Sequence, residues 1–137
     1  MRILVVEDEA LLAMWARDVL EGAGHTVSGV VQTRAGALAL IETGEPDLLL
    51  MDINLPDGRG MGIELARYAW KRCVTPSLFL TGQVHEAKAN RDAALGCLGK
   101  PCNESTLLAS IEAAGQLIGG RPPQAVPAGL ELFRSAP

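Results

Sequence analysis

Leu48-Leu49-Leu50-Met51-Asp52 decides the fold: four apolar residues in succession, closed by an acid. The run is short and unbroken. Gly44-Glu45-Pro46 punctuates it on one side and Pro56-Asp57-Gly58 on the other. Such a run predicts a strand buried on both faces, the kind found inside a parallel sheet. Other runs share its form. Arg2–Val6 leads into Glu7-Asp8, Ser77–Leu80 into Thr81, and Gly96–Gly99 into Lys100-Pro101, while His25–Val31 reads as a further strand.

Helical patterns lie between these runs. Leu11, Leu12, Trp15, Val19 and Leu20 form a stripe that stops at Gly22-Ala23-Gly24. The segment Thr33 to Glu42 turns Ala37, Leu38 and Ile41 inward, with Thr33 as its cap. Ile63, Ala66, Trp70 and Cys73 share one face of the next helix, which ends before Thr75-Pro76. From Val84 to Leu95 the pattern is helical, polar and alanine-rich, with a thin apolar stripe. Glu104 to Ile118 carries Leu107, Ile111, Ala114 and Ile118 inward. Five strand-and-helix units in this order predict an α/β fold, a doubly wound five-stranded parallel sheet with right-handed crossovers. One domain over 1–118 is expected. The tail 119–137 holds Pro122, Pro123, Pro127 and Pro137 and is expected to be mostly irregular and loosely held, with Leu130, Leu132 and Phe133 as a short apolar segment.

Composition narrows the function. The chain has 137 residues and a net charge of −4, so it carries no basic footprint for nucleic acid. No apolar stretch approaches the roughly 20 residues of a membrane span, and acids interrupt the first apolar run too early for a signal peptide. A cytoplasmic protein is expected. Cys73, Cys97 and Cys102 are odd in number and form no CxxC pair, and His25 and His85 are the only histidines. A disulfide framework and a zinc site are therefore not expected, and the thiols read as small, mostly buried side chains.

In a parallel α/β sheet the carboxyl ends of the strands share one edge, where ligands bind. Glu7, Asp8, Asp52, Thr81 and Lys100 would meet there. Three crowded carboxylates repel one another unless a cation sits among them, and an all-oxygen set favours a hard divalent ion such as Mg²⁺. A hydroxyl and a lysine beside that ion suit phosphoryl oxygens.

Taken together, Val6-Glu7-Asp8-Glu9, Met51-Asp52-Ile53-Asn54-Leu55-Pro56-Asp57-Gly58, Leu80-Thr81-Gly82 and Gly99-Lys100-Pro101 resemble the receiver domain of bacterial two-component response regulators. The resemblance covers about Met1 to Ile118. It implies a flavodoxin-like (βα)5 fold with strand order 2-1-3-4-5. It implies that Asp52 accepts a phosphoryl group from a phosphohistidine on a histidine kinase or a histidine phosphotransfer protein. Glu7, Asp8, Asp52 and the main-chain carbonyl of Asn54 would hold Mg²⁺, while Thr81 and Lys100 would bind phosphoryl oxygens. The Lys100-Pro101 peptide resembles the family's cis bond. The family signals to a downstream protein through its helix 4–strand 5–helix 5 face. Such a protein catalyses its own phosphorylation and dephosphorylation, turns over no external substrate, and acts by partner docking or phosphorelay. The chain reads as a stand-alone receiver or as a piece of a longer regulator.

Two positions depart from that pattern. Cys97 stands where receivers carry Tyr or Phe, and Cys102 where an aromatic usually follows Lys-Pro. Phe79 and Trp70 are not placed to substitute. The segment Pro76 to Gly82 resembles a subgroup with Phe-Ala-Thr-Gly, with Leu80 for the alanine. Without a ring at 97, the switch is expected to run through a shift of the loop Gly82–Glu86. Three rival readings stand beside this one. A pseudo-receiver would bind partners without phosphorylation. A haloacid dehalogenase-type phosphatase would place Asp-x-Asp after strand one, whereas Asp52-Ile53-Asn54 follows strand three and has an amide for the second acid. A nucleotide or flavin module would need a glycine-rich turn where Glu7-Asp8-Glu9 stands.

Overall fold

The computed structural model describes residues 1–133, and Pro137 of the expected tail lies outside them. Its strands are β1 (Arg2–Val6), β2 (Thr26–Val31), β3 (Leu48–Met51), β4 (Ser77–Thr81), β5 (Gly96–Gly99) and β6 (Leu130–Leu132). Its helices are α1 (Ala10–Gly22), α2 (Arg34–Thr43), α3 (Met61–Cys73), α4 (Val84–Lys88) and α5 (Glu104–Ile118). The sheet runs β2-β1-β3-β4-β5-β6, with the first five strands parallel and β6 antiparallel to β5. The flavodoxin-like order 2-1-3-4-5 is thus present, with one strand added.

The strands are apolar on both pleats because helices cover both faces. Ile3, Val5, Leu48, Leu50, Leu78 and Leu80 pack with Ala13, Ala16 and Leu20 of α1 and with Leu107 and Ile111 of α5. Leu4, Val6, Leu49, Met51 and Phe79 point the other way, onto Ala37 and Ile41 of α2, Ile63, Ala66 and Ala69 of α3, and Ala87 of α4. This two-sided burial is the physical reason for unbroken rather than alternating apolar runs. Local caps fix the helix starts. The Thr33 hydroxyl accepts a hydrogen bond from the Gly36 N–H at 3.2 Å, and the Asn103 side chain accepts one from the Thr106 N–H at 2.9 Å. Each cap of this kind stabilises by about 1 kcal/mol.

Three expectations are corrected. The segment 84–95 is not one helix: α4 stops at Lys88, and a single 3-10 turn follows at Arg91–Ala93. Asn90 ends it, because its side-chain amide donates back to the Glu86 carbonyl while its own backbone leaves the helical region. Ala94 and Leu95 then extend into β5, where the Leu95 N–H donates to the Ser77 carbonyl. The second correction concerns the tail, in which Leu130–Leu132 is a strand paired with β5 rather than a loose segment. Among the thiols, Cys97 is buried and Cys102 half-buried, but Cys73 is exposed at the end of α3. Among the described residues no helix is long and apolar enough to cross a membrane.

The chain leaves β1 for β2 on one side and reaches β3 on the other, so the crevice for a ligand opens beyond the ends of β1 and β3. Gly62 sets how closely α3 approaches that crevice. A Cβ built there would sit 1.8 Å from the main-chain oxygen of Asp52, and the Gly62 N–H donates to the Ile53 carbonyl at 2.8 Å. Gly62→Ala should therefore push the β3–α3 loop outward despite alanine's better helix propensity. Overpacking of this type costs about 1–3 kcal/mol, on the order of 5 °C in melting temperature. Thermal unfolding followed by circular dichroism checks this, and an unchanged or raised midpoint would contradict it.

Candidate functional site

Parallel pairing places the acids. Val6 is in register with Met51, and the Asp52 N–H donates to the Val6 carbonyl at 2.9 Å. The residues after β1 and β3 therefore emerge side by side. Carboxylate oxygens of Glu7, Asp8 and Asp52 all lie within 4.8 Å of one another. Glu7 is 3 % and Asp52 8 % exposed, whereas Asp8 faces solvent.

Lys100 enters from the end of β5, where its own N–H donates to the Thr81 carbonyl at 2.9 Å. Its Nζ reaches Glu7 Oε1 at 2.8 Å, Asp52 Oδ2 at 3.4 Å and Glu9 Oε1 at 3.8 Å. Glu7 Oε2 accepts the Glu9 N–H at 3.1 Å. Glu7 Oε1 is buried, and the Lys100 ammonium at 2.8 Å is its charge partner. Burial raises the Glu7 carboxyl above its ordinary range. Lys100 and the Glu9 N–H pull it back in part, and the neighbouring Asp52 pushes it further up. Burial alone would lower the Lys100 ammonium, but the Glu7 contact and the charges of Asp52 and Glu9 outweigh it, so its pKa is raised.

The donor set suits a hard cation. It is all oxygen and anionic, with three carboxylates gathered beside a single ammonium. Glu7, Asp8 and Asp52 form a cluster able to hold a metal ion. Asn54 lies on the loop after β3, where its side-chain oxygen accepts the Gly60 N–H at 2.9 Å. That bond ties the loop to the start of α3.

Thr81 is buried at the end of β4, and its hydroxyl accepts the Gln83 N–H at 2.9 Å. The Gln83 carbonyl in turn accepts the Ala87 N–H of α4 at 3.1 Å. Cys97 lies in register with Phe79 on one side and Glu131 on the other, and burial, helped by Glu131, pushes its thiol pKa up. The Lys100-Pro101 bond is cis. A cleft of 330 Å³ lined by Glu9, Leu12, Leu80, Lys100, Pro101 and Cys102 opens beside the lysine. The larger groove, 770 Å³ between α5, His25 and Arg121, shares no lining residue with the acid cluster.

The structure thus brings Glu7, Asp8, Asp52 and Lys100 together, with Thr81 at the end of the neighbouring strand. The sequence alone assigns Glu9, Gln83 and Gly62 no role in the site. Only a three-dimensional pairing marks them, save that a glycine in the first turn of a helix signals close approach.

A family model for the response regulator receiver domain matches residues 3–112. The phyllosphere-induced regulator PhyR of Methylorubrum extorquens is 40 % identical over 80 residues, covering 58 % of this chain and 30 % of that protein. The transcriptional regulatory protein PdtaR of Mycobacterium tuberculosis is 34 % identical over 116 residues, covering 82 % of this chain and 56 % of PdtaR. The chain therefore spans less than two thirds of either relative. Among solved structures, a CheY-like response regulator receiver domain from Methanospirillum hungatei superimposes with a TM-score of 0.71 at 32 % identity, over 80 % of this chain and 89 % of that one. With the sheet order and the matched residues in agreement, this chain belongs to the response regulator receiver domain family.

Proposed function

We propose that Asp52 is the phosphoacceptor of this receiver. The observation that carries the reading is the meeting of Asp52 with Glu7, Asp8 and the Lys100 ammonium at one sheet edge. An Asp52 oxygen attacks the phosphorus of a phosphohistidine on a histidine kinase or phosphotransfer protein. A P–O bond forms, the P–N bond breaks, and the electron pair leaves with the imidazole, which takes up a proton. Glu7, Asp8, Asp52 and the Asn54 carbonyl would hold Mg²⁺, which when bound offsets repulsion between the carboxylate and the incoming phosphoryl oxygens. Lys100 neutralises Asp52 before transfer and pairs with a phosphoryl oxygen afterwards. Thr81 donates its hydroxyl to another. The protein works in the cytoplasm, turns over no external substrate, and acts by docking a partner or passing the phosphoryl group on.

The signal leaves through Thr81. Its hydroxyl holds the Gln83 N–H, and Gln83 holds the first turn of α4. Drawing the hydroxyl toward a phosphoryl group therefore loosens the start of a five-residue helix whose one buried side chain is Ala87. A helix so short and thinly anchored opens at low free energy. Cys97 takes no part by ring rotation.

Three outcomes are expected. Incubation with Mg²⁺ and acetyl phosphate should add one labile phosphoryl mass to the chain, and none to Asp52→Asn. A pseudo-receiver would gain none in either. Mg²⁺ alone at ten times its dissociation constant should stabilise by about 1.4 kcal/mol, on the order of 5 °C. Asp8→Ala should lose most of that shift, and an unchanged shift removes the acid pair from the metal site. Beryllofluoride should change hydrogen exchange most between Gly82 and Leu95. A larger change elsewhere would overturn the Thr81 route.

A further inference from the structure

Strand β6 fills the outer edge of β5 closely. Leu98 is in register with Leu130, Cys97 with Glu131 and Gly96 with Leu132. The Phe133 N–H donates to the Leu95 carbonyl at 2.8 Å, and the Gly99 N–H donates to the Gly129 carbonyl at 3.3 Å. The side chains alternate between faces. Leu130 is buried with Leu98 and Leu107, and Leu132 packs against the same core. On the opposite face Glu131 meets Lys88 at 3.2 Å and Arg91 at 2.8 Å, and Arg91 also lies 4.8 Å over the Phe133 ring. Gly96 is fitted to this contact, since a Cβ there would fall 2.4 Å from the Glu131 carbonyl.

The β5 edge therefore presents a complete recognition surface. It has backbone groups for pairing, an apolar seat, two cations and a glycine that admits the incoming backbone. Its occupant is only three residues long and hangs on a linker with Pro122, Pro123 and Pro127. The ions of the Glu131 contact are partly exposed and so screened by salt. We propose that the β5 edge is a strand-docking site, that β6 is its resident occupant held in cis, and that an extended partner segment of apolar-acidic-apolar-aromatic sequence, antiparallel to β5, takes its place. Strand addition draws its affinity from main-chain bonds and its selectivity from alternate side chains, and here the acid facing Lys88 and Arg91 sets the selectivity. A tethered strand competes at an effective concentration of the order of millimolar, so β6 shields the edge from weak or mismatched segments. It also prevents edge-to-edge association of copies. The proposal is independent of phosphorylation at Asp52.

The test uses the full chain and a labelled synthetic peptide with the sequence of residues 127–133. The double variant Leu130→Asn, Glu131→Lys removes the seat and reverses the charge of β6. Hydrogen exchange should show the amides of residues 99 and 133, which bond across the β5–β6 seam, unprotected while β1 to β4 stay protected. If β1 to β4 open as well, Glu131→Lys alone replaces the double variant. The released variant should bind the peptide at least about 10-fold more tightly than the wild-type chain does, given the tether's effective concentration. Adding Gly96→Val, or replacing Glu by Lys in the peptide, should abolish that binding. Persisting protection at 99 and 133 would make β6 a fixed part of the fold and overturn the proposal. So would a released tail with no peptide bound. A wild-type dimer by sedimentation with β6 exchanged between copies would overturn it too, making a second copy the occupant.

Discussion

Like charge forced together at one edge of an apolar sheet is the constraint on which this molecule depends. Glu7 and Asp52 follow neighbouring parallel strands in register, so they cannot separate without breaking the pairing of β1 with β3. Burial raises the cost of ionising Glu7, and Asp8 adds a third carboxylate within 4.8 Å. Lys100 relieves part of that cost by reaching Glu7 and Asp52 together. The lysine is one cation among several anions. The cluster of Glu7, Asp8 and Asp52 is therefore one able to hold a metal ion. Neighbouring elements close in to hold the arrangement: α3 through the missing Cβ of Gly62, and β4 through the Thr81 carbonyl that holds the Lys100 backbone.

The same edge also adjoins the most lightly held helix. Thr81 is rigid as the last residue of β4, yet its hydroxyl is held by the first backbone group outside the strand, the N–H of Gln83 at 2.9 Å. Beyond that lies a helix of five residues, and its last residue, Lys88, contacts Glu131 on β6. Well-packed strands and a lightly held helix thus adjoin, which is the contrast a switch requires. The thiol of Cys97 sits between these parts with no ring to turn.

Much of this was legible in the sequence because the signals were local. Runs such as Leu48–Met51 are too short for helices and too apolar for surface strands, so the five parallel strands and the acids at their ends followed from period and punctuation. The strand order entered through family resemblance, since nothing local distinguishes β1 as a central strand. The misread parts were non-local. Residues 84–95 have helical composition, but the Asn90 side chain competes for the Glu86 carbonyl and the chain must reach β5. Leu130-Glu131-Leu132 alternates over too few residues to announce a strand, and its partner, β5, lies on the far side of α5 in the sequence. Cys73 falls on the expected helical face, yet it lies at the last turn of α3, where the sheet no longer covers it.

The most direct test of the account is to locate the acyl phosphate chemically. After transfer from a phosphorylated histidine phosphotransfer protein in the presence of Mg²⁺, borohydride reduction converts an aspartyl phosphate to homoserine, and peptide mapping reads its position. The account predicts homoserine at position 52 and at no other acid. Conversion at Glu7, Asp8 or Asp57 in place of Asp52, or none at all while the transfer protein loses its phosphoryl group to the chain, would contradict it.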